Sequence, residues 1–118
     1  MTQNTHTLAF LGDAVITLRI REHLAMQPDQ KIASLHKLAA SFVNAANQAR
    51  VFQDIKKDLT QVELDISTRA HNAGVNTKAK NFTLADYRKA TALEALVGYW
   101  SMLGEHDKVS LAISALIS

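Results

Sequence analysis

The sequence predicts an all-α fold. Three observations carry that prediction: apolar residues recur at spacings of three and four along most of the chain, helix-start and helix-stop signals fall between those stretches, and nothing reads as a strong strand. With 118 residues, residues 1–118 are read as a single domain able to bury its own core. An apolar fraction of 47% and a charged fraction of 20% lie in the globular range, and no low-complexity stretch or internal repeat suggests a linker.

The first helix is expected over Leu8 to Leu24, where Leu8, Leu11, Val15 and Leu18 keep helical spacing and charges appear only near the end. Pro28 and Asp29 signal a turn. The apolar period resumes from Ile32 to Phe42 and runs on through Val43 to about Ile55, as two helices or one bent helix. Thr60 followed by Glu63 has the spacing of a capping box and predicts a helix from Gln61 to Ala73, stopped by Gly74. Val75 to Phe82, with Lys78 and Lys80, reads as a flexible loop. Thr83 can cap a helix over Leu84 to Leu103, with Asp86 in its first turn and Gly104 after its last. In the final helix, from about Glu105 to Ile117, Val109, Ala112, Ile113 and Leu116 form one apolar stripe.

The absence of cysteine rules out a disulfide framework, a thiolate metal site and a thiol nucleophile. Met1 to Phe10 has no basic region or apolar run of the signal-peptide kind, and no apolar run reaches the roughly 18–20 residues that span a bilayer, so a soluble, cytoplasmic protein is expected. A formal charge of +2 does not announce a nucleic-acid binder by itself, because phosphate binding depends on local charge. The five histidines include no pair at i, i+3 or i+4, so a helical zinc site is not supported.

Two carboxylates stand out by position. Asp13 is the only charge between Met1 and Leu18, and Glu94 the only one between Ala90 and Gly104. Each lies mid-helix in a segment expected to be buried on most sides, where a carboxylate needs a cation, a donor or a proton. Gly12 and Gly98, each costing roughly 1 kcal/mol inside a helix, invite a packing explanation: small residues that let the two helices, and the two carboxylates, come close. Facing carboxylates with waters completing the shell would suit Mg²⁺. A buried Asp can equally brace a backbone and a buried Glu can pair with Arg88, so spacing alone leaves both readings open.

The residues go further than the spacing. Leu8-Ala9-Phe10-Leu11-Gly12-Asp13-Ala14-Val15 resembles the signature helix of the ribonuclease III superfamily, and Ala92-Leu93-Glu94-Ala95-Leu96-Val97-Gly98 its second catalytic helix. Between them, Leu35-His36-Lys37, Val43 through Gln48-Ala49, Arg69 through Asn72-Ala73, Lys80-Asn81 and Tyr87-Arg88 ahead of Thr91 resemble the Mini-ribonuclease III branch. Larger members carry two further acids, at the positions of Ala9 and Thr91 here, and a double-stranded-RNA-binding domain for which this length leaves no room; the mini class lacks all three. Some positions depart from the mini pattern. The aromatic and Glu that often follow Gly-Asp-Ala-Val are Ile16 and Thr17, Arg-Gly-Arg-Asn reads Arg69-Ala70-His71-Asn72, and a frequent Lys is Asn47, departures expected to weaken a basic surface.

The resemblance implies a ribonuclease III endonuclease-domain helical bundle that cleaves double-stranded RNA, with Asp13 and Glu94 as catalytic metal ligands for Mg²⁺, for which Mn²⁺ can substitute. It implies a homodimer through the signature helix, with Phe10, Leu11 and Ala14 near the twofold axis. It also implies RNA contacts from Arg69, His71, Asn72, Lys78, Lys80 and Arg88, and precursor large-subunit ribosomal RNA as substrate, with a ribosomal protein as helper. The competing readings are a catalytically silent relative that binds RNA or a ribosomal particle, against which intact Asp13 and Glu94 argue, and a helical scaffold for protein partners.

Overall fold

A computed structural model of the chain describes residues 4–28, 31–73 and 83–118. Among these, six α-helices and one 3₁₀ turn account for the ordered elements, and no strand occurs: α1 Thr5–Ala25, α2 Ile32–Val43, α3 Ala45–Ile55, the 3₁₀ turn Lys56–Asp58, α4 Gln61–Asn72, α5 Leu84–Leu103 and α6 His106–Ile117. The all-α expectation holds. The stretch left open as two helices or one bent helix is two, parted at Asn44, whose extended backbone (ψ 159°) ends α2 while its side chain accepts from the Asn47 amide and caps α3. Gly74 and the loop over Val75 to Phe82, with Lys78 and Lys80, lie outside the described residues.

Helix α5 is the axis of the fold, packed against α1, α3, α4 and α6. Its apolar residues are distributed around the whole circumference, as a helix surrounded by others requires, and Ala92, Leu93, Ala95, Leu96 and Val97 are fully buried. Ile16, Ile20 and Leu24 of α1, Val51 and Phe52 of α3, and Val109, Ala112, Ile113 and Leu116 of α6 join it in one core. A smaller cluster of Leu8, Ile66, Ala70 and Ala95 fills the junction of α1, α4 and α5. Gly104 ends α5 at φ 71°, the left-handed conformation expected of it.

The predicted capping box at Thr60 is present and reaches further than its own helix. Glu63 is buried, its Oε1 accepting from the Thr60 amide (2.9 Å) and its Oε2 from Trp100 Nε1 (2.7 Å) and Lys108 Nζ (2.6 Å), so one carboxylate ties α4 to α5 and α6. Burial acts to raise its pKa, but the hydrogen bonds from Lys108, Thr60 and Trp100 and the charge of Lys108 overturn that and hold it at about 2. Because the folded value lies below the ordinary 4.5, this stabilisation is complete above about pH 4.5 and is lost as pH falls towards 2. Glu63→Ala removes a helix cap and strands the Trp100 N–H, for a loss of about 2–4 kcal/mol. Urea unfolding at pH 7 and pH 3 measures this: the gap between wild type and variant should be full at pH 7 and smaller at pH 3.

Candidate active site

The two mid-helix glycines set the geometry. A Cβ on Gly12 would overlap the carbonyl oxygen of Glu94, and one on Gly98 would overlap that of Leu8, so α1 and α5 touch backbone to backbone at a crossing that admits no side chain. Asp13 follows the first glycine, and Glu94 precedes the second by one helical turn. The carboxyl groups of Asp13 and Glu94 consequently lie within hydrogen-bonding reach of each other.

Glu94 is half-buried. Asp13 is exposed, which corrects the expectation that both acids would be buried on most sides. The inner line of α1 is Leu8, Gly12, Ile16, Ile20 and Leu24; Asp13 sits one residue round from it, at the rim where α1 meets solvent. Burial first, then the charge of Asp13 and the carboxyl–carboxyl hydrogen bond, push the Glu94 pKa up to about 8, against a hydrogen bond from Gln48 that favours the carboxylate. The carboxylate form of the pair is thus held out of balance at neutral pH until a proton or a cation joins it. No ion pair joins Glu94 to Arg88 among the described residues.

The pair opens onto a depression of about 680 Å³ whose other walls are Val43, Asn44 and Gln48 from the α2–α3 junction and Tyr87 and Thr91 from α5. Of the two positions where larger relatives carry acids, Thr91 lines the depression and uses its hydroxyl on the Tyr87 carbonyl (3.0 Å), while Ala9 packs against the Leu8–Ile66 cluster. No group of three or more acids or histidines converges among the described residues. The donor set is therefore two carboxylates and neutral oxygens, one of them a buried, unpartnered amide oxygen on Gln48. These hard oxygens fit Mg²⁺, which takes one or two carboxylates and keeps much of its water.

The other site expectations fall elsewhere. Arg69 and Asn72 are exposed on the last turn of α4, where half-buried His71 shares a hydrogen bond with Asn72 (3.1 Å). Arg88 is half-buried on α5, its Nε without a hydrogen-bond partner among the described residues. None of these four lines the depression. On the outer face of α1, Phe10 is 80% exposed and Leu18 58%, with Ala14 exposed between them at i, i+4 spacing; Leu11 is half-buried beside this stripe.

Three departures from the family pattern turn out to concern packing. Ile16 and Ala70 are core residues. Asn47 is a bracket: its Nδ2 donates to Phe42 O (2.7 Å) and Leu116 O (2.9 Å), and its Oδ1 accepts from Arg50, whose guanidinium also reaches Ala115 O (2.9 Å). This fastens the end of α6 to the α2–α3 junction, so Asn47 has a packing role in this chain.

Comparison with known proteins agrees with this architecture. A family model described as the ribonuclease III domain matches residues 6–105. A Mini-ribonuclease 3 of Brevibacillus brevis is 39% identical over 91% of this chain and 80% of its own length, and one from Staphylococcus aureus is 31% identical over 98% and 87%. The crystal structure of a Fusobacterium nucleatum protein, 34% identical, superposes with a TM-score of 0.85 over 93% of this chain and 88% of that one. A helical bundle built around two touching helices, a carboxylate on each, and matches of this extent mean that the chain belongs to the ribonuclease III family, among the Mini-ribonuclease 3 proteins.

Proposed function

We propose that this endoribonuclease cuts both strands of double-stranded RNA as a magnesium-dependent homodimer, with Asp13 and Glu94 holding the cation. The observation that carries this reading is the pairing of the two carboxylates above the Gly12–Gly98 contact, in a chain of this family. When bound, the cation supplies an activated water and charge stabilisation for phosphodiester hydrolysis. Asp13 and Glu94 fix where the scissile phosphate lies, and the rigid crossing of α1 and α5 keeps them there without reorganisation. The half-buried setting of Glu94 limits competition from bulk water. The open mouth of the depression suits a phosphodiester backbone carried in on a wide duplex.

Duplex RNA offers phosphates, 2′-hydroxyls and shape. Arg69, Asn72 and His71 at the end of α4, with Arg88 on α5 and Lys78 and Lys80 of the intervening segment, are the residues proposed to meet it. The apolar surface of Phe10, Leu11 and Ala14, continued by Leu18, is the proposed twofold contact, which sets two sites on opposite strands. A precursor of large-subunit ribosomal RNA is the proposed natural substrate.

Incubation of end-labelled duplex RNA with the protein in magnesium, beside an EDTA control, tests the reading. Cuts on both strands, magnesium-dependent and leaving 5′-phosphates, are expected; duplexes left intact in magnesium and in manganese would favour the catalytically silent alternative. Two variants test the accessory surfaces. Phe10→Asp places a charge in the proposed contact and should sediment as a monomer where the wild type sediments as a dimer. Lys78→Ala combined with Lys80→Ala should weaken duplex binding and flatten its dependence on salt, because fewer counterions are released; binding titrations across a range of salt measure the slope.

A further inference from the structure

Gln48 is the buried polar residue of α3, 5% exposed among Ala45, Ala49, Val51 and Phe52. Its Nε2 donates to the Val43 carbonyl at 2.8 Å. A carbonyl can only accept, so this bond fixes the amide with nitrogen towards Val43, and the oxygen is left without a donor among the described residues. A buried amide oxygen in that condition is costly, and its place gives it a use: Gln48 lines the same depression as Asp13 and Glu94.

We propose that Gln48 belongs to the cation site, its Oε1 accepting a hydrogen bond from the hydration water of the cation held by Asp13 and Glu94. This rests on the magnesium reading of the two carboxylates. Two carboxylates leave most positions around Mg²⁺ to water, and those waters are strong donors that need acceptors in fixed places. A neutral oxygen provides one without a third negative charge beside a pair that already repel. The bond to Val43 O anchors the amide at the α2–α3 junction, so a third element positions the cation that α1 and α5 hold. A polar side chain on the same helical line as Phe52, where an apolar one would continue the core, is the mark this role leaves in the sequence.

The test is Mn²⁺ affinity in the absence of RNA, read from the electron paramagnetic resonance of free Mn²⁺, for wild type, Gln48→Met and Gln48→Glu, with folding checked by circular dichroism. Gln48→Met keeps the side-chain volume and loses both polar atoms; Gln48→Glu keeps the acceptor and loses the amide that donates to Val43 and to Glu94. Gln48→Met should weaken Mn²⁺ binding about tenfold or more, and Gln48→Glu should bind at least as tightly as wild type. Wild-type affinity in Gln48→Met, or equal weakening in both variants, overturns the proposal, the second result assigning Gln48 to its donor bonds to Val43 and Glu94 alone. If wild type binds no Mn²⁺, the reading of Asp13 and Glu94 falls and takes this one with it, whereas binding by wild type and Gln48→Met alike removes Gln48 only. Should Gln48→Met fail to fold, a crystal of the wild-type protein soaked in Mn²⁺ decides: Oε1 within about 3 Å of a cation-bound water supports the proposal, and Oε1 with no such water overturns it.

Discussion

Asp13→Asn and Glu94→Gln are each expected to lower the single-turnover rate of duplex cleavage by at least about 10³-fold, equivalent to about 4 kcal/mol of lost transition-state stabilisation. Each removes one of the two charges proposed to hold the cation, while the neutral amide keeps the volume of the acid. The same substitutions should act in the opposite direction on the metal-free fold. Glu94 has a folded pKa of about 8 against an ordinary 4.5, so the fold favours its protonated form: the contribution is most favourable below about pH 4.5 and is lost as pH rises to 8. Replacing either acid relieves that cost. In EDTA at pH 8, Glu94→Gln should melt about 4 °C or more above wild type, and the difference should shrink towards pH 5. A cation replaces the same proton, so wild-type Mg²⁺ affinity should climb with pH up to about 8. Melting curves with and without Mg²⁺ at several pH values give both readings, and an Asp13→Asn protein that cleaves at the wild-type rate would remove Asp13 from the mechanism.

The second large effect is expected at the helix crossing. On an exposed helical surface, Gly→Ala is stabilising by up to about 1 kcal/mol. At Gly12 the new Cβ meets the Glu94 carbonyl oxygen, a backbone atom that cannot swing aside, so α1 and α5 must part along a contact that also seats Leu8, Ile16 and Ile20. Gly12→Ala and Gly98→Ala should each cost about 3 kcal/mol or more, out of a total stability of roughly 5–15 kcal/mol. Where the fold survives, Mn²⁺ affinity should fall as well, because the carboxylates move with the helices that carry them. Urea unfolding measures the first effect and Mn²⁺ titration the second; a stabilised Gly12→Ala would mean that the two backbones are not in contact in solution.

Much of this was legible in the residues. Helix positions followed from apolar period and from Thr60, Glu63, Thr83 and Gly104, whose effects act within a turn or two of chain and are thus readable locally. The approach of α1 to α5 was legible because a glycine in mid-helix is costly unless something fills the space of its side chain. The exposure of Asp13 was not: Phe10, Leu11 and Ala14 around it form an apolar run, and such a run indicates surface to be covered without saying by what. The roles of Asn47 and Gln48 were also hidden, since they depend on partners at Leu116 and Glu94 that only the tertiary fold brings near. Ala70 falls among the departures of a basic segment, whereas it stands at a glycine of the family pattern and packs with Leu8, Ile66 and Ala95 in the core.

Asp13 and Glu94 are proposed to act as one unit, and a double-mutant cycle separates that from independent action. Single-turnover cleavage rates would be measured for wild type, Asp13→Asn, Glu94→Gln and the double variant in saturating magnesium. If the two carboxylates hold one cation, losing either already disables the site, and the double variant should be little slower than the slower single variant. Losses that multiply, each residue contributing its full factor independently of the other, would contradict a shared site.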